Sequence, residues 1–464
     1  MLSFLLVPLY TTKGVLSSVA EYGKVSVIFS YFVIFNVILA YGMETAFFRF
    51  LNKESDKDKV IGTSTISLII TSLGFFAFTL IFQNQIAQFI DIDVKYINLV
   101  IWILLLDALV IIPFAWLRAT QRPIRYAIIK ILNVVINLGL NLFFLLALKD
   151  LATNGSFLEN IYRPNFEISY IFIANLVASA VTLLLMFSFY TKVKYTFNTA
   201  LWKTMFRYAF PVLIAGLAFS INETFDRILL KELLPENIAD TEIGMYSACY
   251  KIALFMTLFA TAYRLGIEPF FFSHAKTENP QKNYAKILEF FVAFGSVILL
   301  TVVVFADALK PYIVRSEEYW EAMWIVPIIL LANFCLGIYH NLSVWYKITD
   351  RTKFGAYISV FGAIITFAIN ILFIKTYGYK ASAIATLIAY ATMMLLSYYF
   401  GRKYYPIPYN LKKIGLYFMV SVVLSTLSFY YFRENYVVGI PMLIVFLGIV
   451  YFSEKNELKQ LLKR

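Results

Sequence analysis

Apolar residues in this chain come in unbroken runs, separated by short polar stretches. Thirteen runs can be read, at about 25–48, 60–82, 95–117, 124–148, 168–190, 205–230, 243–272, 284–306, 322–346, 354–374, 380–400, 411–432 and 437–452. Each is near the ~20 residues that a helix rising 1.5 Å per residue needs to cross a ~30 Å hydrocarbon core. Ahead of them stands a stub, Met1 to Tyr10, which as a helix spans only about 15 Å and cannot cross. It lacks the basic start and small-residue cleavage site of a signal peptide. It reads as the second half of a helix whose beginning is missing, so the plan expected is fourteen helices with the first truncated.

The distribution of charge supports that count. Cytoplasmic loops of membrane proteins accumulate Lys and Arg. The loops near 49–59, 118–125, 191–207, 273–286, 347–353 and 401–413, with the tail after 453, hold 25 of the 40 basic residues. The intervening loops hold 11, and every loop of the first set exceeds both its neighbours. A miscounted helix would break the alternation. The first set is therefore read as cytoplasmic, with the C-terminus inside.

Composition narrows the class further. The chain is 61% apolar and 15% charged, against about 25% charged in soluble domains. The net charge of +12 is spread over loops with no basic arm, so nucleic acid is not an expected partner. Cys249, Cys335, His274 and His340 stand apart with no metal-ligand spacing, and the two histidines read as boundary residues. No Gly-x-x-x-x-Gly-Lys-Ser/Thr loop is present and no loop is long enough for a catalytic domain, so neither ATP hydrolysis nor a cofactor is expected. A membrane polymerase or ligase of glycans, which carries a large periplasmic loop, fits poorly.

An internal repeat is legible. Gly42-Met43-Glu44-Thr45-Ala46-Phe47-Phe48, closing the second helix, matches Gly266-Ile267-Glu268-Pro269-Phe270-Phe271, closing the eighth. Arg118 to Arg122 aligns with Lys347 to Arg351, and Asn141-Leu142-Phe143-Phe144 with Asn370-Ile371-Leu372-Phe373, both offset by 229. Matching helices are six apart, and six is even. Two lobes of like topology are then expected, related by a pseudo-two-fold along the membrane normal. The divisions read are 1–190 for an N-terminal lobe, 191–400 for a C-terminal lobe, and 401–464 for two appended helices with a tail.

Several motifs carry a family resemblance: Leu6-Val7-Pro8-Leu9-Tyr10-Thr11, Ala20-Glu21-Tyr22-Gly23, Gly42 to Arg49, and Asp226-Arg227-Ile228-Leu229-Leu230. In these, and in its 6+6+2 plan, the chain resembles the multidrug/oligosaccharidyl-lipid/polysaccharide exporter superfamily, and specifically its bacterial polysaccharide-biosynthesis flippases. The resemblance implies a bacterial inner-membrane flippase carrying undecaprenyl-diphosphate-linked oligosaccharide from the cytoplasmic to the periplasmic leaflet. The product would serve lipopolysaccharide, capsule or exopolysaccharide assembly. The partners implied are the lipid-linked oligosaccharide, membrane lipids, H+ or Na+ as coupling ion, and the polysaccharide assembly machinery. A cation-coupled multidrug antiporter and a lipid II flippase of the same superfamily are the alternatives.

Ionisable groups inside apolar runs cost about 2.5–3.5 kcal/mol each on insertion scales, so they face a cavity or a partner. Arg264 and Glu268 lie four apart near the inner end of the eighth helix, and the repeat offers Glu44 with Arg49. They read either as an inner gate, with Arg264 on diphosphate or acidic sugar, or as interhelical pairs and snorkelling side chains. Asn222-Glu223-Thr224-Phe225-Asp226-Arg227 offers Asp226 or Glu223 as the coupling carboxylate, or a plain Glu223–Arg227 pair. Lys130, Asn133, Asn137 and Asn141 fall within about 80° of arc on the fifth helix, suiting sugar and phosphate or simply helix packing. Lys251 reads as a cavity cation. Asp107 sits mid-helix, open to a salt bridge or an ion site.

Overall fold

The computed structural model describes residues 2–152, 157–273, 280–349 and 351–461, without the side chains of 2–3, 268–273 and 456–461. Among them thirteen helices are long and apolar enough to cross a membrane. A short helix, α1 (Leu2–Tyr10), precedes these thirteen. They are α2 (Val19–Lys53), α3 (Lys57–Ile81), α4 (Val94–Ala119), α5 (Pro123–Leu151), α6 (Glu167–Tyr190) and α7 (Thr199–Leu233). There follow α8 (Glu236–Ile267), α9 (Pro280–Val304), α10 (Glu317–Ile348), α11 (Lys353–Tyr377), α12 (Tyr379–Tyr404), α13 (Leu411–Tyr430) and α14 (Tyr436–Lys455). The thirteen spans expected from the apolar runs are the thirteen observed, and the protein is a multi-pass membrane protein.

Burial departs from that of a water-soluble domain at both extremes. Phe89, Ile81, Ile124 and Val437 are exposed, while Thr63, Ser64, Ser169, Asn141, Asn370, Ser382, Ser397 and Ser421 are completely buried. Against lipid an apolar side chain loses nothing by exposure. Small hydroxyl residues let helices approach and bond to one another.

The chain divides into two compact units. The first comprises Met1–Glu232 with Glu236–Ile243, and so takes in α1 to α7 and the opening turns of α8. Here α4 packs on α2, α3 and α6, and α6 also packs on α5. Two motif glycines in this unit have steric reasons. At Gly42 the backbone takes φ +72°, and an added Cβ would lie 2.5 Å from the Ala209 carbonyl oxygen of α7. At Gly23 an added Cβ would fall 1.8 Å from the Asp240 carbonyl oxygen, so α2 and the start of α8 touch through main chain alone. Met43, Phe47, Phe50, Leu68, Met205 and Ala209 of α2, α3 and α7 form one buried apolar cluster.

The second unit comprises Leu233–Pro235 and Gly244–Arg464. In it α10 packs on α8, α9 and α12, and α12 also packs on α11. These are the neighbours of the first unit shifted by six helices. The added pair, α13 and α14, packs on α9. Within α8 the α-helix gives way to a 3-10 turn at Lys251–Ala253.

Candidate functional site

In the first unit the polar residues form three groups. Towards the C-terminal end of α2, Glu44 forms an ion pair with Arg118 of α4, whose guanidinium lies 5.0 Å from the Phe48 ring centroid. Arg49 stacks on Tyr208 of α7 at 4.2 Å. Glu44 is thus joined across helices to Arg118, and Arg49 is held by an aromatic face.

The second group is deeper. Asp107 of α4 accepts a hydrogen bond from the Ser179 hydroxyl of α6 at 2.7 Å. Lys130 of α5 is within electrostatic reach of Asp107 and of Arg118, and its ammonium sits 4.2 Å from the Phe114 ring centroid. One turn on, the Asn133 amide donates to Thr182 of α6 at 2.9 Å. Asp107, Lys130 and Asn133 therefore belong to one polar seam between α4, α5 and α6.

The third group ties α1 down. The Tyr10 hydroxyl donates to Asn141 Oδ1 at 2.8 Å, and Asn141 Nδ2 donates to the Asn137 carbonyl at 2.8 Å and to its Oδ1 at 2.9 Å. The second unit repeats the pattern. Asn370 Nδ2 donates to the Thr366 carbonyl at 2.7 Å, while the Ser382 hydroxyl donates to Asn370 Oδ1 at 2.7 Å.

Further along the first unit, on α7, Arg227 Nη1 donates to Asp226 Oδ1 at 2.8 Å and to the Glu223 carbonyl at 3.1 Å. Asp226, Arg227 and Asn222 are buried, whereas the Glu223 side chain is exposed.

In the second unit Arg264, half-buried on α8, lies within electrostatic reach of His340 on α10, which also senses Lys347 two turns further along α10. The charges of Arg264 and Lys347 thus both reach the His340 imidazole. The fork of Arg264 suits bidentate recognition of a phosphate. Lys251, half-buried, stands at the 3-10 turn of α8. The backbone at Glu268 is helical, but its side chain lies outside the described residues, as does His274 altogether.

Sequence reasoning missed His340 as a neighbour of Arg264. Its spacing of seven from Lys347, two helical turns, places the two on one face and was the available signal. It also missed two lysine clamps. Lys231 contacts Asp91 at 2.9 Å and Asp240 at 3.2 Å. Lys413 forms an ion pair with Glu289 and contacts Glu454 at 2.8 Å, and Tyr417 donates to Glu454 at 2.8 Å. No group of three or more His, Cys, Asp and Glu able to hold a metal occurs among the described residues.

Thirteen membrane-length helices with polar seams between them define an integral membrane protein. A family profile described as polysaccharide biosynthesis protein matches residues 1–272, more than half of the chain. The chain belongs to that family. In structure it is similar to the lipid II flippase MurJ in an inward closed conformation, with TM-score 0.72, 14% identity and 97% of each chain covered. It is also similar to an inward-facing multidrug resistance MATE family transporter of the MOP superfamily, with TM-score 0.67, 13% identity, and 89% and 94% of the two chains covered. A MATE in complex with MaD3S follows at TM-score 0.58 and 12% identity, over 89% and 92% of the chains. No curated protein matches the chain by sequence. The fold is the one shared by that flippase and those transporters.

Proposed function

We propose that this protein is a flippase for undecaprenyl-diphosphate-linked oligosaccharide in the bacterial inner membrane, with its C-terminus cytoplasmic, serving lipopolysaccharide, capsule or exopolysaccharide assembly. The observation that carries the reading is the family match over residues 1–272, and Arg264, within electrostatic reach of His340, is the cation assigned to the diphosphate. Family membership supports a polysaccharide-linked cargo. A sugar head group cannot cross hydrocarbon unaided, since each unsatisfied polar group costs several kcal/mol there. Two lobes related along the membrane normal would give it a polar route by alternating access, while the prenyl tail stays in lipid. The shared neighbour pattern six helices apart supports that arrangement.

For coupling to H+ or Na+, Asp107 is the preferred carboxylate. It bonds a neutral hydroxyl and sits in a seam with Lys130, whereas Asp226 is bonded to Arg227. A multidrug antiporter for cationic drugs would want an acidic site, and the Arg264 group is basic.

The test is deletion of the gene with tracking of undecaprenyl-linked oligosaccharide. Accumulation on the inner leaflet is expected, and unchanged surface glycan in a strain without a second flippase opposes the proposal. Arg264→Ala should lower export at least about tenfold, the worth of one charge-assisted bond, with abundance intact. Normal export by that variant removes Arg264 from the site.

A further inference from the structure

At the boundary where α9 and α13 begin and α12 ends, the second unit holds an open cavity of about 570 Å³ that the transport reading does not use. That volume lies within the ~300–1,000 Å³ of ligand pockets. Lys282 and Gln281 of the first turn of α9, Tyr398 and Arg402 of α12, and Pro406 and Tyr409 of the linker to α13 line it.

Three features converge on one ligand chemistry. The described lining carries two cations, Lys282 and Arg402, and no carboxylate. The first turn of the 25-residue α-helix at α9 adds the positive end of its dipole. The Tyr398 and Tyr409 rings stand 6.2 Å apart at 49°, giving an amphipathic wall with hydroxyls at its tips. The linker wall is stiff, because Pro406 and Pro408 fix their own φ angles. Asn410 is occupied in capping α13, accepting from the Lys413 amide at 3.2 Å.

Position selects the source of the phosphate. The ends of three spans meet here, on the side whose loops collect Lys and Arg, and Leu411 at the edge is about half exposed. A phosphate at this depth that also meets apolar and aromatic surface is that of a lipid. Basic pockets between transmembrane helices on the cytoplasmic side are where anionic headgroups bind. We infer that this cavity binds the headgroup of an anionic phospholipid, through Lys282, Arg402 and the tyrosine hydroxyls. None of Arg264, His340 and Lys347 lines the cavity, and its test reads lipid binding and not export, so the two proposals fail independently.

The full chain, purified in mild detergent, is titrated with vesicles of phosphatidylcholine alone, with vesicles containing phosphatidylglycerol or cardiolipin, and with inorganic phosphate and pyrophosphate. Retained lipid is read by native mass spectrometry. Preferential binding of the anionic lipids is expected. Lys282→Gln and Arg402→Gln should each weaken it roughly fivefold, compounding in the double variant. Lys375→Gln, an exposed lysine at the far end of α11, should leave it unchanged. Lys282→Arg with Arg402→Lys keeps both charges and should keep the preference, which separates charge from folding. Wild-type lipid preference in the double Gln variant overturns the site. Equal binding of phosphate or pyrophosphate at the same residues overturns the lipid as its source.

Discussion

Each unit contains a lysine held between two carboxylates, and the two clamps differ in one respect. Lys231 of the first unit bridges Asp91, whose side chain is 70% exposed, and Asp240, at 10%. Lys413 of the second unit bridges Glu289 and Glu454, at 12% and 4%, with the Tyr417 hydroxyl as a further donor to Glu454. The same three charges therefore do different things. Asp91 can exchange Lys231 for water at small cost, so that half of the first clamp can open and re-form. In the second clamp neither acid has water to fall back on, and the lysine is fixed. One is a latch; the other is a rivet joining α9, α13 and α14.

The sharpest way to break this comparison is Lys413→Met, which leaves two buried acids without their cation. It should cost about 3–5 kcal/mol, read as a drop in unfolding midpoint in detergent. A neutral result would falsify the rivet reading. Asp240→Asn removes the buried half of the Lys231 clamp and should cost roughly 1–3 kcal/mol by the same measurement.

A third cluster extends the comparison to pH. Asp307, on the short helix Ala306–Ile313, accepts from Lys310 at 2.7 Å and from Arg433 at 2.9 Å. Burial pushes its carboxyl upward, but the bonds from Arg433 and Lys310 outweigh this and hold it below the ordinary carboxylate range. Stability from this group is thus complete above the unfolded value of about 4 and is lost as pH falls through the lower folded value. Unfolding midpoints should show no loss from Asp307 between neutrality and about pH 5. Below that they should fall, and Asp307→Asn should lack this acid limb. Smallest of all should be Asp91→Asn, at about 0.2–1 kcal/mol, shrinking as salt is raised. An effect as large as that of Asp240→Asn would erase the distinction between latch and rivet.

The helices were legible and the clamps were not, for one physical reason. A span announces itself locally, in some twenty consecutive apolar residues. A clamp is assembled from helix ends far apart in sequence: Lys231 and Asp91 are 140 positions apart. Read alone, Lys231 and Lys413 pass for loop charges. The face of α5 bearing Asn133, Asn137 and Asn141 was visible from spacing, but its partners, Thr182 and Tyr10, were not. Glu44 was matched by the repeat to nearby Arg49, while the fold joins it to Arg118 on another helix. Pairing across helices depends on which faces meet, which periodicity does not encode.

The completely buried serines, threonines and asparagines carry a thermodynamic consequence. Helices that separate in lipid exchange contact with one another for contact with acyl chains, and expose little apolar surface to water. The heat-capacity change that bends the stability curve of a water-soluble domain into a dome is then nearly absent. For these helix–helix seams, stability plotted against temperature should be close to a straight line, with no cold limb to find.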